Sequence, residues 1–415
     1  MGAEQASNTR ILTRRRFLVG AGASAAVSAL SGFASKRAAA EVVVPAVRLG
    51  SQPAGLPMRQ HAWAWWLRRD QFGNPLAPRF DRLLFFDVRG RPTPGYPLLL
   101  ESRLRTLERH FGWGPQGLLF TVSYGPDYFT RVLGVPSPIP TATRLSSFES
   151  PAIDRYQVCM HLACDDESRL DEAEALLELG SILIWRETRT GFTGSGLPSE
   201  HQHVAGIPAG QPVQQSAPLF MGFKSGLRNN QATEDDVTIP AGPFAQGTTM
   251  QVSHMRLQLA DWYDRISAAE RVALMYSPQT SVAAAQRFTT DASGNPNEII
   301  KAITHHGVVG HAQASAQARR HGRPVIIRRD FDTVDGGEAG VHFVSVQRSI
   351  QDFVATRNAM NAAEAHNINR RITATANNGI NAFIDVRRRA YYIMPSRPNR
   401  AFPLLPWGTP DAQGV

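Results

Sequence analysis

The sequence predicts an α+β fold with antiparallel sheet, built from two units of similar order. Two observations carry this. Runs rich in β-branched and aromatic residues interleave with stretches of helical periodicity, in the order strand, helix, strand, strand, helix. The same order returns beyond Gly191–Pro218, a stretch with four prolines and many glycines that reads as the joint between units. No residue-level repeat accompanies the similarity.

In the first unit, residues 41–210, Glu41–Leu56 is a lead-in and Met58–Trp66 (MRQHAWAWW) reads as an aromatic strand. Phe80–Asp87 suggests further regular structure, and Tyr96–Phe111 has the spacing of an amphipathic helix. Gly117–Tyr124 is a strand stopped by Gly125, and Pro136, Pro138 and Pro140 mark a loop. The strand Tyr156–Ala163 runs into Asp165 and Asp166, which can cap a helix over Ser168–Leu179. In the second unit, residues 211–405, Met250–Leu259 is a strand. Ala260–Met275 is a helix bent near Ser267-x-x-Glu270, a capping box. Gly322 and Pro324 turn the chain into the short strand Pro324–Asp330, where Val325, Ile326 and Ile327 are β-branched. The strand Val341–Gln347 and the helix Ile350–Ala363 follow. Ile380–Arg389 and Tyr391–Met394 close the sheet, and residues 406–415 form a tail.

The N-terminus carries an address. Thr13-Arg14-Arg15-Arg16-Phe17-Leu18 matches the twin-arginine export pattern, a soft Gly/Ala-rich stretch reaches Phe33, and Ala38-Ala39-Ala40 offers a cleavage site. The apolar stretch is short for a membrane span. Residues 1–40 therefore read as a signal peptide, which places the mature chain in the periplasm or outside the cell. Without them the net charge falls from +9 to +4. Lysine occurs only at positions 36, 224 and 301, and no basic run interleaved with aromatics follows the leader, so nucleic acid is excluded as a partner. Cys159 and Cys164 sit five positions apart on one predicted strand, facing opposite ways, so the fold does not depend on a disulfide.

Chemistry concentrates in Thr304–Phe331, which has three histidines in its first eight residues and then an arginine-rich segment. A neutral imidazole is a good iron ligand, and a buried arginine nearby stabilises an anion on that metal. His311 and Arg328 are the chosen pair; a core histidine and a structural arginine are the plainer account of them. His305 and His306 compete as ligands. Glu200-His201-Gln202-His203 resembles a small metal cluster, although His-x-His without a third ligand is weak. Asp330, two residues after Arg328, shares its strand face and offers a carboxylate, or a plain ion pair with arginine. Asp235 and Asp236 read as surface charges. Trp63, Trp65 and Trp66 read as core aromatics, with electron relay as the sharper alternative. No phosphate loop or convincing nucleophile elbow is found.

Over residues 50–400 an ordered series of motifs resembles the dye-decolourising (DyP-type) haem peroxidases. Gly222-Phe223-Lys224-Ser225-Gly226 is similar to that family's distal loop Gly-Phe-Lys-Asp-Gly, and Gly247–Leu257 to the strand after it. His311 falls on the proximal histidine, Ile327-Arg328-Arg329 on a Leu-Arg-Arg motif, and Val341–Gln347 on a strand ending in Gln. Gln60-His61-Ala62, Thr121–Gly125 and Asp165-Asp166 sit where the family carries similar strings. The resemblance implies two ferredoxin-like domains whose antiparallel sheets form a dimeric α+β barrel-like arrangement, with haem b held by residues 211–405. It implies His311 as axial iron ligand, Arg328 as distal cation, and Gly222, Phe223, Lys224, Ser225 and Gly226 as the loop over the haem. The implied partners are hydrogen peroxide, an unknown reducing substrate and the twin-arginine machinery, with homo-oligomers left open.

Three departures weaken the peroxidase chemistry. Ser225 replaces the family's distal aspartate, and a hydroxyl is a poor base near neutral pH. Leu227-Arg228-Asn229-Asn230 replaces a run of small residues. Ser349 stands where an aspartate often supports the proximal histidine, which leaves that imidazole a less basic ligand. An exported haem peroxidase and a non-catalytic haem or interaction protein on a degenerate fold are therefore the two alternatives. On export the expectation is direct: a chain carrying Arg14→Lys and Arg15→Lys stays inside the cytoplasmic membrane, as cell fractionation would show, and normal export of it would refute the signal.

Overall fold

The computed structural model describes residues 55–210, 213–224, 230–286 and 295–405. The leader read over residues 1–40 and the tail 406–415 lie outside them. The frame is a ten-stranded sheet. Its strands are β1 (Phe80–Val88), β2 (Leu119–Tyr124), β3 (Ala152–Ile153), β4 (Val158–Cys164) and β5 (Leu183–Phe192). They continue with β6 (Thr248–Leu257), β7 (Ile326–Arg328), β8 (Phe331–Thr333), β9 (Gly340–Gln347) and β10 (Ile384–Met394). The order is β2-β4-β1-β5-β8-β9-β6-β10-β3, with β7 also beside β9. Six helices matter below: α1 (Gly95–Phe111), α2 (Glu167–Leu177), α3 (Leu259–Asp264), α4 (Ala268–Met275), α5 (His311–Ala316) and α6 (Ile350–Ala359). Among the described residues no helix is long and apolar enough to cross a membrane.

The α+β class stands, but the ferredoxin-like, barrel-like arrangement does not. The ten strands belong to one sheet instead of two, and that sheet is mixed, because β3 runs parallel to β10. β10 meets β2 at the single pair Ile393–Tyr124, so no ladder closes the strands into a barrel. The halves join where β10 pairs with β3 and where β5 reaches β8, through the pair Phe192–Asp332. Glycine makes that junction possible: a Cβ at Gly191 would lie 2.1 Å from the Asp332 carbonyl oxygen and 2.4 Å from the Phe331 ring. Strand patterning in the sequence says nothing about which edges meet, and this is where the expectation failed.

Most elements fall within a few residues of their predicted places. Asp166 caps α2 by accepting from the Ser168 amide, and Ser267 and Glu270 form the capping box that separates α3 from α4. Cys159 and Cys164 are buried and unbridged. Met58–Trp66 is not a strand. The Gln60 side chain donates to the carbonyls of Val122 and Pro395, and the Trp63 indole donates to Gln60, which folds the segment into turns. Ile384–Met394 is one strand, whose ladder to β6 shifts by a residue between Val386 and Arg388. Strand β5 was not anticipated at all, since Arg186, Glu187 and Arg189 hide its alternation.

A buried ionic group fixes the end of the chain to the first helix. The apolar face of α1, with Leu100, Leu104 and Leu107, enters the main core. Beside it, Glu101 and Glu108 are buried and accept from Arg400 and Arg397, with Arg400 Nε 2.9 Å from Glu101 and both arginines on Glu108. Removing one member of such a group leaves buried charge unpaired, which costs about 3–5 kcal/mol, whereas an exposed ion pair contributes under about 1 kcal/mol. Urea unfolding should therefore show a loss of about 3–5 kcal/mol for Glu108→Ala. Arg265→Ala, which breaks only the exposed pair with Asp261 at 3.0 Å, should change stability by less than about 1 kcal/mol.

Candidate functional site

The pleat of the sheet builds the floor of a cavity of about 200 Å³. Ile326, Arg328, Asp330 and Asp332 all line it, at alternate positions along β7, the link and β8. Cross-strand register continues the floor. Asp332 pairs with Val341, Val341 with Met255 and Met255 with Val386, while Phe343 pairs with Ser253 and Ser253 with Arg389. All of these residues face the cavity. The bulge in β10 keeps Arg389 on this side despite the extra residue, Arg387.

Helical spacing builds the walls. His311, Ala312, Ser315 and Ala316 come from α5, and Phe353, Thr356, Arg357 and Met360 from α6 and its end. Gly310 lets α5 approach α4 closely, since a Cβ there would fall 2.0 Å from the Tyr276 carbonyl oxygen. Met221, Met255, Met275 and Met360 make much of the apolar lining, flexible side chains that fill irregular space.

His311 and Arg328 thus reach the same cavity. Burial pushes the His311 imidazole down to about 3, with Arg328 and Arg357 acting the same way, so the ring is neutral at ordinary pH. Among the described residues it has no hydrogen-bond partner. Arg328 exchanges backbone bonds with the Gln231 side chain at 2.7 and 3.3 Å, and its Nη2 donates to the Asn230 carbonyl at 3.4 Å. Its Nε is buried without a partner, and so is the Tyr276 hydroxyl on the same wall. Each unsatisfied buried group costs about 1–3 kcal/mol, which a polar ligand would recover.

The remaining candidates divide. Gly222 lies at φ +82°, Phe223 lines the cavity edge-on to Tyr276 at 5.4 Å, and Lys224 lines it while paired to Asp70 at 2.6 Å. Burial raises the Asp70 carboxyl, but the bonds from Lys224 and Asn74 outweigh it and hold the group at about 2. Ser225 and Gly226 lie outside the described residues. Ser349 caps α6, accepting from the Gln351 amide at 3.2 Å, so its hydroxyl is engaged in helix structure. His305 and His306 are exposed and off the cavity wall. His201 stacks on Phe192 at 4.1 Å and bonds the Leu197 carbonyl, a packing role. Asp235 pairs with Arg59, and Asp236 completes a capping box with Thr233. Trp63 is buried under the Arg329 guanidinium at 3.8 Å, a cation that opposes oxidation of the ring, whereas Trp65 is 87 % exposed.

Tyr276, Asp332, Arg357 and Arg389 also belong to the site and were not singled out from sequence. Arg389 is held by Glu149 at 2.8 and 3.1 Å, and Arg357 bonds Asn361 at 3.2 Å beside the same glutamate. Their places depend on contacts between distant segments, and no local motif marks them.

A family model covers residues 78–396, described as DUF7405, a family of unknown function. The chain belongs to DUF7405. No curated protein matches the sequence. Solved structures similar to this DUF7405 chain include a DyP-type peroxidase from Cellulomonas bogoriensis, at 17% identity and TM-score 0.55, covering 77% of this chain and 90% of that one. A dye-decolorizing peroxidase from Bacteroides thetaiotaomicron shows 12% identity and TM-score 0.55, covering 82% and 99%. A DypB variant from Rhodococcus jostii in complex with heme shows 12% and 0.55, covering 83% and 98%. At these identities the likeness establishes a shared fold.

The depressed pKa of His311 has a consequence for acid stability. The unfolded chain binds a proton near pH 6.5 that the folded site refuses until about 3, so stability is full above 6.5 and falls as pH drops towards 3. His61 and His254 are also pushed down to about 3 and add to the slope. In His311→Gln the unfolding free energy should fall less steeply between pH 6.5 and 3, and the His311 ring signal in NMR should stay that of neutral imidazole at pH 5.

Proposed function

We propose that this protein is an exported haem-dependent peroxidase-like oxidoreductase, using haem b to reduce peroxide and oxidise a further substrate. One observation carries the reading: a neutral imidazole and an arginine Nε, both without a hydrogen-bond partner among the described residues, share one largely apolar cavity on the fold of the DyP-type peroxidases. The donor set fits haem. His311 would hold the haem iron through one imidazole nitrogen, and among the described residues no group of three or more His, Cys, Asp or Glu could hold a bare metal ion. The free space of about 200 Å³ is below the roughly 300–1,000 Å³ usual for small-molecule sites, so the methionine-rich wall must yield on loading.

The haem would supply the redox chemistry. Within the protein, His311 holds it, Arg328 binds and polarises the anionic oxygen of the ligand, and the apolar wall excludes water. Ser225 can hydrogen-bond the ligand but is a weak base. A second reading, a haem-binding protein without turnover, is favoured by Ser349: its hydroxyl caps α6, and among the described residues His311 has no carboxylate partner.

The purified protein should show a Soret band that His311→Ala abolishes; a wild type without one refutes the haem reading. In stopped-flow mixing with hydrogen peroxide, Arg328→Leu should keep haem and react more slowly. Ser225→Asp should keep haem and react faster, by up to the roughly 10²–10⁴-fold of a positioned acid/base where no other group supplies one. Haem binding with no peroxide turnover in either the wild type or Ser225→Asp would support the carrier instead.

A further inference from the structure

Asp332 is 1% exposed and sits on the cavity wall, on the same side of the sheet as Arg328 and Asp330. Its Oδ2 accepts from the Phe220 amide at 2.6 Å. Among the described residues its other oxygen makes no hydrogen bond, and no Arg, Lys or His forms an ion pair with it. The groups that face it are Asp330, in the link before its strand, and Tyr263 of α3, whose hydroxyl donates to the Phe220 carbonyl at 2.6 Å. A lone buried carboxyl with an acidic neighbour and a single amide donor is costly to ionise, and burial does raise its pKa well above the ordinary carboxylate value.

We propose that Asp332 is the residue that exchanges a proton with the ligand Arg328 holds in this cavity, in place of the distal carboxylate that Ser225 lacks. The inference rests on the peroxidase reading. The step is a proton transfer alone: the Asp332 O–H bond breaks, the proton passes to an oxygen of the ligand, and the negative charge stays on a carboxylate held by the Phe220 N–H. The reverse transfer restores the neutral acid. Two carboxyls on one side of the sheet, one of them kept neutral by its surroundings, is an arrangement that supplies an acid at neutral pH.

The rival account is a staple that pins the Leu219–Phe223 turn to β8. Asp332→Asn separates the two, because the amide oxygen can still accept from Phe220 while the acidic proton is gone. Infrared spectra of the unloaded protein at pH 7 should show the carbonyl stretch of a protonated carboxyl, lost in Asp332→Asn and kept in Asp330→Asn. In the haem-loaded protein, Asp332→Asn should slow the reaction with hydrogen peroxide by about 10²–10⁴-fold with haem content and thermal midpoint retained. A missing carboxyl band, or an unchanged rate, overturns the proposal. A wild type without a Soret band overturns the peroxidase reading and this proposal with it, whereas a Soret band without the carboxyl band overturns this proposal alone. If Asp332→Asn does not fold, Asp332→Ser, which can also accept from Phe220, takes its place in both arms.

Discussion

The approach of β5 to β8 at Gly191 is the constraint on which the rest depends. Two sheet edges meet there with no room for a side chain, and the residue on the far side is Asp332. That contact, together with the pairing of β10 to β3 and β2, makes one sheet out of two halves. It also sets the edge of the cavity floor, because Asp332 of β8 continues the line of alternate positions begun by Ile326 and Arg328 of β7. The Phe220 turn then docks on the Asp332 carboxyl and brings Met221 and Phe223 over the floor. Fold and site are consequences of the same close packing.

Charge inside the molecule follows a consistent rule. The buried arginines that hold structure are each met by carboxylates: Arg400 by Glu101 and Glu108, Arg189 by Asp154 at 2.7 Å, Arg389 by Glu149. At the cavity the rule is broken. Among the described residues Arg328 Nε and the Tyr276 hydroxyl are buried without a partner, and no hydrogen bond reaches the His311 ring. A folded chain tolerates such groups at a cost in stability, and on the wall of an open, largely apolar space a polar ligand would satisfy them.

Much of this was legible in the sequence, for reasons that differ by residue. Strand β9 reads directly, since Val341, Phe343 and Ser345 alternate with His342, Val344 and Val346. Strand β10 reads as two pieces because the extra residue Arg387 shifts the phase of its alternation while the ladder continues. Met58–Trp66 reads as a strand because its aromatics have strand-like composition, but Gln60 and Trp63 spend their polar atoms on turns and on neighbouring carbonyls. His311 and Arg328 were found through an ordered series of motifs. Asp332, Tyr276 and Arg357 could not be, since their meeting depends on sheet register and on the Gly310 approach, which are tertiary facts. The barrel-like pairing of two ferredoxin-like sheets was wrong for the same reason: local pattern specifies strands, whereas edge contacts specify the sheet.

On the proposed peroxidase reading, the methionine lining would give the cavity a finite working life. Met221, Met255, Met275 and Met360 place four thioethers where peroxide would be handled. Each can be oxidised to a sulfoxide, which turns a pliable apolar side chain into a polar and bulkier one. A wall able to yield to a large ligand would thereby also be open to chemical wear. Adaptability and durability are in conflict at the same four side chains, and the balance between them is set by how often oxidant escapes reduction.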